Sequence, residues 1–542
     1  MILQRPVLYL SLLAGLVACS DGTDTVPATP PPEPPPPISI DTPNADRCEM
    51  LDAENCMFPW PSDVFTVADE SLETGRRVNL NQESLPANRR GDRVDPAEWN
   101  RNDGFSPSQM ILAQVPGVDL AQTGAPSITD LAQSLEVDSP VVVIRASTGE
   151  QHLVFAELDA NTDDPAEQAF IIRPMVQFER GERYIVALRN LRDSAGEVLE
   201  APEVFRAFRD DTLTDNADIE ARRPAMDALF STLEDAGVER SELYLAWDFT
   251  VASARNITER LLHIRDEAFA DLGAAAPDYV IDTLTDFAPC DPDGCTDGQD
   301  EQIAREIGGT FFVPNFLDSD EGAPGSAFYY ATPDDGLPDR LNGDNLFAAN
   351  FVCRIPRSVA EDFEAPPKAQ ARPSLYGHGL LGSANEARGG TRQNVDIMAL
   401  DHQMMFCATD WAGFASADVP FAIQVLQDFS LMQAFFDRQQ QGLLNFMFLA
   451  RLLKSDAGFA ADPAFQAAGQ PVFDNSTVYY DGNSQGGILG GALMAVIQDV
   501  TRGVLGVPGM SYSFLLRRSV DFNAFTPFFS GSGTGEDGGG YP

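Results

Sequence analysis

The strongest constraint on the fold lies near the carboxyl end, where an apolar run meets a helical pattern at a serine between glycines. Residues 476–481 are β-branched and aromatic, as in a buried strand, and small residues dominate the helical pattern of 488–500. Between them, residues 482–486 read Gly-Asn-Ser-Gln-Gly. A tight strand-to-helix turn needs glycine two residues before and after the serine, because bulk there would block the chain from passing itself. The sequence therefore predicts a strand–turn–helix unit with Ser484 at the carboxyl end of the strand.

Strand-like and helix-like segments alternate from about residue 309 onward. The predicted strands are 309–313, 347–355, 372–376, 404–409, 476–481 and 503–507, and the predicted helices are 394–400 and 421–453. Such alternation predicts a doubly wound, mainly parallel sheet that helices cover on both faces. In sheets of this kind, ligands bind at the carboxyl ends of the strands.

A second motif comes after the predicted strand 372–376, where residues 376–383 read Tyr-Gly-His-Gly-Leu-Leu-Gly-Ser. This motif and the serine turn, about a hundred residues later, resemble the α/β-hydrolase family, and within it secreted bacterial lipases and esterases. Those lipases have a His-Gly-Leu oxyanion loop and a Gly-x-Ser-Gln-Gly turn. The resemblance implies an α/β-hydrolase fold and cleavage of carboxylic esters through an acyl-serine, a mechanism that needs no cofactor.

The resemblance also implies roles for single residues. Ser484 is the expected nucleophile, and the backbone N–H groups of Leu380 and Gln485 are the expected oxyanion donors, since attack on an ester places negative charge on the carbonyl oxygen. His378 is expected to fix the loop by hydrogen bonding. Asp410 and Trp411 come after the strand 404–409, and we expect Asp410 to cap a turn and Trp411 to wall an acyl pocket. The Phe- and Met-rich helix 421–453 is expected in the core rather than as a lid.

No histidine comes after Ser484 in the sequence, although the family order is serine, then acid, then histidine. His152 belongs to an earlier segment, and His402 enters its strand at the amino end. We therefore expect the α/β-hydrolase fold to be incomplete at its carboxyl end. Two hypotheses remain: a membrane-anchored serine hydrolase acting on small-molecule or lipid esters, truncated before its Asp and His, and a catalytically inactive surface lipoprotein acting as a binding or scaffold module.

The amino terminus has the pattern of an export signal. Arg5 precedes an apolar run at 7–17 that is too short to span a bilayer, and Leu16-Val17-Ala18 precedes Cys19. This pattern resembles the lipobox of bacterial lipoproteins; the alternative is a plain secretory signal. The resemblance implies that residues 1–18 are removed, that Cys19 carries the lipid, and that the proline-rich segment 19–47 is a tether. Ser20 after the cysteine indicates the outer membrane, on its periplasmic or cell-surface side.

Six cysteines remain after Cys19, an even number in a chain expected to be exported. We predict the disulfides Cys48–Cys56, Cys290–Cys295 and Cys353–Cys407, although six cysteines allow about fifteen pairings.

The net charge of −46 excludes nucleic acid as a partner, because 82 acidic residues oppose 36 basic ones along the whole chain. The acidic segment 290–301 does not have the spacing of an EF-hand loop, so we assign no metal site there, and calcium binding by this loop stays as the alternative. The sequence does not specify an oligomeric state.

The length of 542 residues predicts two or three cores. We expect an irregular wrapper at 48–104, a β-sandwich at 105–212, a helical connector with the acidic disulfide loop at 213–305, and the partial α/β-hydrolase domain at 306–542. Within 105–212, a tight turn at 180–183 precedes a Tyr-x-Val strand, and Asp193 to Gly196 form a hairpin pattern. This pattern resembles bacterial immunoglobulin-like domains, which implies a supporting module.

Overall fold

The computed structural model describes residues 36–52, 54–162, 164–165, 167–332, 336–388 and 394–529. The predicted signal segment 1–18, the lipidation residue Cys19 and most of the tether lie outside these residues. None of the helices within the described ranges is both long enough and apolar enough to cross a membrane.

The amino-terminal half is built from short strands around one core. Its strands are β1 (Thr66–Ala68), β2 (Arg76–Val78), β3 (Ile111–Gln114), β4 (Val141–Arg145), β5 (Val154–Leu158), β6 (Ala169–Pro174), β7 (Arg183–Arg189) and β8 (Leu243–Thr250), and its helices are α1 (Leu120–Thr123), α2 (Glu203–Arg209) and α3 (Ala217–Asp235). β1 and β2 form a two-stranded antiparallel sheet, and two three-stranded antiparallel sheets have the orders β3-β6-β5 and β4-β7-β8. Their inner residues share one hydrophobic core with α2 and α3.

The segment before β3, which we predicted to be a wrapper, packs against these sheets. Phe65 and Leu80 join the shared core. The Trp247 indole donates a hydrogen bond to the Pro61 carbonyl at 2.8 Å, and Asp63 accepts from the Thr250 N–H at 2.8 Å. Wrapper and sheets therefore have no separate cores.

One strand of this half differs from the sequence-based expectation. The apolar run 243–249, which we assigned to the helical connector 213–305, is β8, and it pairs with β7 from Arg183↔Thr250 onward. The run is buried on both faces. A sheet strand that lies between a hydrophobic core and α2 is buried in this way, whereas a helical connector need not be. The predicted boundary after residue 212 therefore cuts through this sheet, and the immunoglobulin-like assignment stays a prediction.

The carboxyl-terminal half contains a seven-stranded sheet. Its elements are α4 (Ala254–Leu272), β9 (Tyr279–Asp286), β10 (Ile303–Pro314), β11 (Leu346–Pro356), β12 (Arg372–Gly377), α5 (Asn394–His402), β13 (Met404–Ala408), α6 (Val419–Gln427), α7 (Met432–Lys454), β14 (Gln466–Ala467), β15 (Gln470–Pro471), β16 (Val478–Asn483), α8 (Gln485–Val496), β17 (Val500–Gly506), α9 (Tyr512–Leu515) and α10 (Thr526–Phe529). The sheet order is β17-β16-β12-β13-β11-β10-β9.

The sheet is parallel only in part. The pairs β12–β13, β12–β16 and β16–β17 are parallel. The pairs β9–β10, β10–β11 and β11–β13 are antiparallel. The expectation of a mainly parallel sheet from residue 306 is therefore corrected in two ways: β9 and the start of β10 precede that boundary, and three of the six pairings are antiparallel. An antiparallel connection needs no crossover helix, and the described residues between β9 and β11 form none.

Helices cover both faces of this sheet. One face packs against α4, α7 and α8 in the largest core, and the other packs against α5 in a smaller core that includes Tyr376, Val395 and Phe406. The multidomain organisation with an α/β sheet in the second half agrees with the prediction. Because β12, β13 and β16 are parallel, their carboxyl ends meet at one edge.

The three predicted disulfides are present. Cys48 pairs with Cys56 in the wrapper, and Cys290 pairs with Cys295 in the acidic loop. Cys353 of β11 and Cys407 of β13 lie directly opposite each other in the sheet and are bonded across it. This bond closes the longest loop of the three, with a sequence separation of 54 residues.

Loop length predicts unequal losses of stability. Replacing Cys353 and Cys407 together by alanine should lower the free energy of unfolding by about 4 kcal/mol, and the same change at Cys290 and Cys295 by about 2 kcal/mol, since longer loops restrict the unfolded chain more. Guanidinium unfolding followed by circular dichroism measures both. Equal losses, or the reverse order, would contradict the prediction.

Asp437 of α7 is a buried carboxyl that accepts a hydrogen bond from the Phe328 N–H at 3.0 Å. Burial raises the pKa of Asp437 to about 6. In the unfolded chain an aspartate titrates near pH 3.9. Between these two pH values the folded state holds a proton that the unfolded state has lost, so the Asp437 contribution to stability falls as the pH rises.

Asp437→Asn keeps an acceptor for Phe328 and removes the buried charge. We expect the variant to exceed the wild type by about 2 kcal/mol at pH 8 and to show no gain at pH 4, measured as free energies of unfolding. Asp320→Asn, at an exposed position, is the control and should show no such pH-dependent gain. A gain for Asp437→Asn that is the same at both pH values would refute the burial argument.

Candidate functional site

Ser484 joins β16 to α8 in a strained conformation. Its φ is 59° and its ψ is −118°, a region that residues other than glycine rarely occupy and that costs about 1–3 kcal/mol. The Ser484 N–H donates to the Gly506 carbonyl of β17, and the Ser484 carbonyl accepts from the Ile488 N–H, both at 3.0 Å. These bonds hold the turn at both ends and leave the serine half-exposed at the carboxyl edge of the sheet.

The glycines around Ser484 allow backbone segments to touch. A Cβ on Gly486 would lie 2.1 Å from the Gly377 carbonyl oxygen, and a Cβ on Gly482 would lie 2.3 Å from the Gly486 carbonyl oxygen. The Tyr480 hydroxyl donates to that same Gly486 carbonyl. The first turn of α8 is therefore packed directly against the end of β12, from which the loop 378–383 starts.

His378 is fully buried and uses both ring nitrogens. Its Nε2 accepts the Trp411 N–H at 2.8 Å, so Nδ1 carries the proton and donates to the Gly379 carbonyl at 2.8 Å. Burial lowers the pKa of His378, which keeps the ring neutral. Neither nitrogen is left to take a proton from Ser484.

Two carboxylates hold the same loop. Glu386 accepts from the Gly379 N–H at 3.0 Å, and Asp410 accepts from the Ala384 N–H at 2.7 Å. Asp410, two residues after β13, thus anchors the loop that follows β12. Glu386, in the 3₁₀ turn Ala384–Arg388, was not predicted as a site residue; its only signal was an acid a few residues after the His-Gly motif.

The far side of the loop is fixed by a buried ion pair. The Ser416 N–H donates to the Gly382 carbonyl at 2.7 Å, next to the bridge between Gly382 and Ala415. Asp418 accepts the Ala415 N–H at 3.0 Å and pairs with Arg438 of α7 at 2.7 Å. Both charged side chains are buried. The loop is thus tied to α7 as well as to β13.

The two expected oxyanion donors lie on the two segments in contact. Gln485 is the first residue of α8, where N–H groups have no intrahelical carbonyl to bind. For the Leu380 N–H, no acceptor occurs among the described residues. The positive end of the α8 dipole lies at the same turn and favours a negative charge there.

Trp411 does not wall a pocket as expected. Its ring is fully buried and stacks on Phe446 of α7 with 3.7 Å between centroids. The His378 bond to the Trp411 N–H holds this residue beneath the loop, so the indole points into the core. The expectation failed because the strand order alone does not say to which side the chain turns after β13.

An apolar cavity of about 310 Å³ lies beside the loop instead. It is lined by Leu380, Leu381, Phe414, Ala422, Val425, Leu426, Met432, Phe435, Phe436, Tyr512, Leu516, Phe522 and Phe525. The predicted helix 421–453 is divided into α6 and α7, and its parts differ. Residues near the division line the cavity, whereas Phe446, Met447 and Phe448 lie in the core.

Tyr512 connects the cavity to the serine turn. Its hydroxyl donates to the side-chain oxygen of the buried Gln485, and its ring stacks on Phe414 with 5.5 Å between centroids. Burial raises the pKa of Tyr512, so it remains a donor at neutral pH. The sequence offered no signal for this contact, since the two residues lie on separate elements 27 positions apart.

The other histidines also make contacts away from the serine. His152 bonds the Val176 carbonyl at 2.9 Å in the amino-terminal half, and His263 of α4 bonds the Pro338 carbonyl at 3.0 Å. His402 ends α5 before the amino end of β13. Among the described residues, no hydrogen bond links Ser484 Oγ to a histidine.

The acidic loop is occupied by protein contacts. Asp300 pairs with Arg354 at 2.8 Å, and Asp291 accepts from Gln299 at 3.0 Å. Within the part of the chain that the structure describes, no group of three or more His, Cys, Asp or Glu side chains is arranged to hold a metal ion.

Comparison with known proteins finds distant structural likenesses. No protein-family model matches the chain, and no curated protein matches its sequence. Acetyl xylan esterase 1 from Thermoanaerobacterium sp. JW/SL YS485 matches with 15% identity over 50% of this chain and 67% of that chain, at a TM-score of 0.27. The rice cell wall degrading esterase LipA from Xanthomonas oryzae matches with 14% identity over 39% of this chain and 42% of that chain, at a TM-score of 0.15.

The contact between the serine turn and β12 predicts opposite effects for two glycines of α8. Gly486→Ala should lower the free energy of unfolding by about 2–3 kcal/mol, because its Cβ would overlap the Gly377 carbonyl. Gly491→Ala, at an exposed position whose nearest neighbour is 4.0 Å away, should raise it by up to about 1 kcal/mol. Denaturant unfolding of both variants tests this, and a stabilising Gly486→Ala would be incompatible with the contact.

Proposed function

We propose that the chain is a serine carboxylic-ester hydrolase of the lipase or esterase type, with Ser484 as nucleophile. The observation that carries the proposal is the backbone contact of Gly377 with Gly486. It brings the loop bearing the Leu380 N–H against the helix start bearing the Gln485 N–H, beside the strained Ser484.

In the proposed reaction, Ser484 Oγ attacks the carbonyl carbon of the ester and loses its proton. The carbonyl oxygen becomes an oxyanion, which the Leu380 and Gln485 N–H groups stabilise by about 3–4 kcal/mol each. Collapse breaks the bond to the alcohol oxygen, and the alcohol leaves with a proton. Water then cleaves the acyl-serine and releases the carboxylic acid.

The apolar cavity supports an ester with an apolar acyl group, whether a small molecule or a lipid. Leu380 belongs both to the loop and to the cavity lining, so an acyl chain in the cavity would have its carbonyl near the Leu380 amide. The volume of about 310 Å³ lies at the small end of ligand cavities, which favours short or medium chains.

The second candidate function is a catalytically inactive surface lipoprotein that binds or supports a partner. It is favoured by one observation: both nitrogens of His378 are engaged, and the other three histidines contact distant elements or lie at the opposite edge. Loss of the base of a serine triad costs on the order of a millionfold in turnover. We therefore expect very slow ester cleavage by these 542 residues.

We further propose that the protein is an exported lipoprotein, anchored through Cys19 to the outer membrane. The support is the Leu16-Val17-Ala18-Cys19 pattern together with the disulfides, which persist in oxidising compartments.

Chemical rescue, in which an added base replaces a base from the chain, tests whether Ser484 is the nucleophile. A fluorophosphonate should modify Ser484 slowly, and added imidazole should accelerate that modification by at least about tenfold, because it can take the Oγ proton for which the described histidines are not placed. Mass spectrometry of the peptide containing Ser484 measures the rate.

Two variants serve as controls for the rescue. Ser484→Ala should lose the label, and Ser383→Ala, in the neighbouring loop, should keep it. Labelling that is equal in the wild type and in Ser484→Ala rejects Ser484 as nucleophile. An unmodified Ser484 in the presence of imidazole instead supports the inactive binding module.

A further inference from the structure

A second cavity, of about 440 Å³, lies where the wrapper meets α4 and α7. Trp60, Trp99 and Phe105 contribute from the amino-terminal half, Asn256 and Arg260 from α4, and Gln433 and Gln440 from α7. It shares only Phe436 with the apolar cavity beside Leu380. We infer that this second cavity binds a carbohydrate, through stacking on indole rings and hydrogen bonds to side-chain amides.

The aromatic wall is packed against the core and remains partly exposed. Trp60 and Trp99 are both partly buried and pack against the amino-terminal core, and Trp60 meets Phe105 edge-on with 5.0 Å between centroids. A fixed indole offers a large apolar face at little entropic cost. The C–H face of a pyranose ring is apolar and flat enough to stack on such a surface.

Five amide side chains provide most of the polar part of the lining. Besides the amides of α4 and α7, Asn102 and Gln109 line the cavity, and the Gln109 Nε2 is buried without a hydrogen-bond partner among the described residues. A buried polar atom without a partner is unfavourable, and a ligand hydroxyl can supply the missing hydrogen bond. Sugar hydroxyls both donate and accept, as amides do, and therefore match such a lining.

The charge of the lining departs from that of the chain. Acidic residues occupy 82 of 542 positions, yet none of the seventeen residues lining this cavity is acidic. Arg260 lies there with no carboxylate within ion-pair distance among the described residues, although it acts on Asp437 from further away. The cavity therefore accepts a neutral sugar or an acidic one, since guanidinium binds hydroxyl and carboxylate oxygens.

Tryptophan fluorescence of the full chain reports binding directly. The chain has four tryptophans, and Trp247 and Trp411 are fully buried in the two large cores, so a ligand-induced change arises from Trp60 and Trp99. We expect saturable changes on titration with at least one of cellotetraose, maltotetraose and tetragalacturonate. A response confined to the first two identifies a neutral sugar, and one confined to the third identifies an acidic sugar.

Variants locate the binding. Arg260→Gln and Gln440→Leu should each weaken binding at least about tenfold, the loss of a well-placed hydrogen bond or two. Arg265→Gln, on the same helix but outside the cavity, should not weaken it, and thermal unfolding should find all three variants folded. Ser484→Ala should bind the sugars as the wild type does, which separates this inference from the proposed ester hydrolysis. No saturable change with any of the three sugars up to about 10 mM, or equal affinity in Arg260→Gln, overturns it.

Discussion

The candidate site depends on one backbone contact, that of the Gly377 carbonyl with Gly486. β12 and β16 are parallel neighbours in which Gly377 is paired with Gly482, so the chain leaves both strands at the same edge. It continues as a loop after β12 and as the helix α8 after β16. The end of β12 and the first turn of α8 can touch because neither Gly377 nor Gly486 carries a Cβ. Even one methyl group at Gly486 would separate the two segments that bear the expected donors.

The loop after β12 is held by buried polar groups, each satisfied by a specific partner. His378 is suited to its position because a neutral imidazole both donates and accepts, which joins the Gly379 carbonyl to the Trp411 N–H. Protonation would remove the acceptor for Trp411, and burial opposes protonation. Glu386 and Asp410 accept further N–H groups from the same loop. A loop fixed in this way supports the proposed role of the Leu380 N–H, because electrostatic stabilisation requires donors that are held in place before the substrate binds.

The sequence was sufficient where structure depends on local spacing. Steric rules over a few residues determine the turn with its glycines around Ser484 and the helix that follows. They also determine the disulfides between cysteines close in sequence, Cys48–Cys56 and Cys290–Cys295. It was insufficient where a segment's partner lies far along the chain. The run 243–249 pairs with β7, about sixty residues earlier, and an apolar run between two helical patterns does not reveal that partner. Trp411 was misplaced for a related reason, because its direction is set by His378 and Phe446. The contacts of Tyr512 with Gln485 and of Glu386 with Gly379 could not be predicted from the spacing of a sequence motif.

Strain at Ser484 does not by itself distinguish an enzyme from a binding module. The φ of 59° is imposed by the turn, because the Gly506 carbonyl and the Gly486 contact hold the chain on both sides. An inactive domain with the same glycines would keep the same strain. The neighbouring cavity separates the two possibilities better, because an apolar space lined by Leu380 and Tyr512 can hold an acyl chain. The open cavity therefore favours a site that admits a ligand next to the serine, whichever group takes the proton.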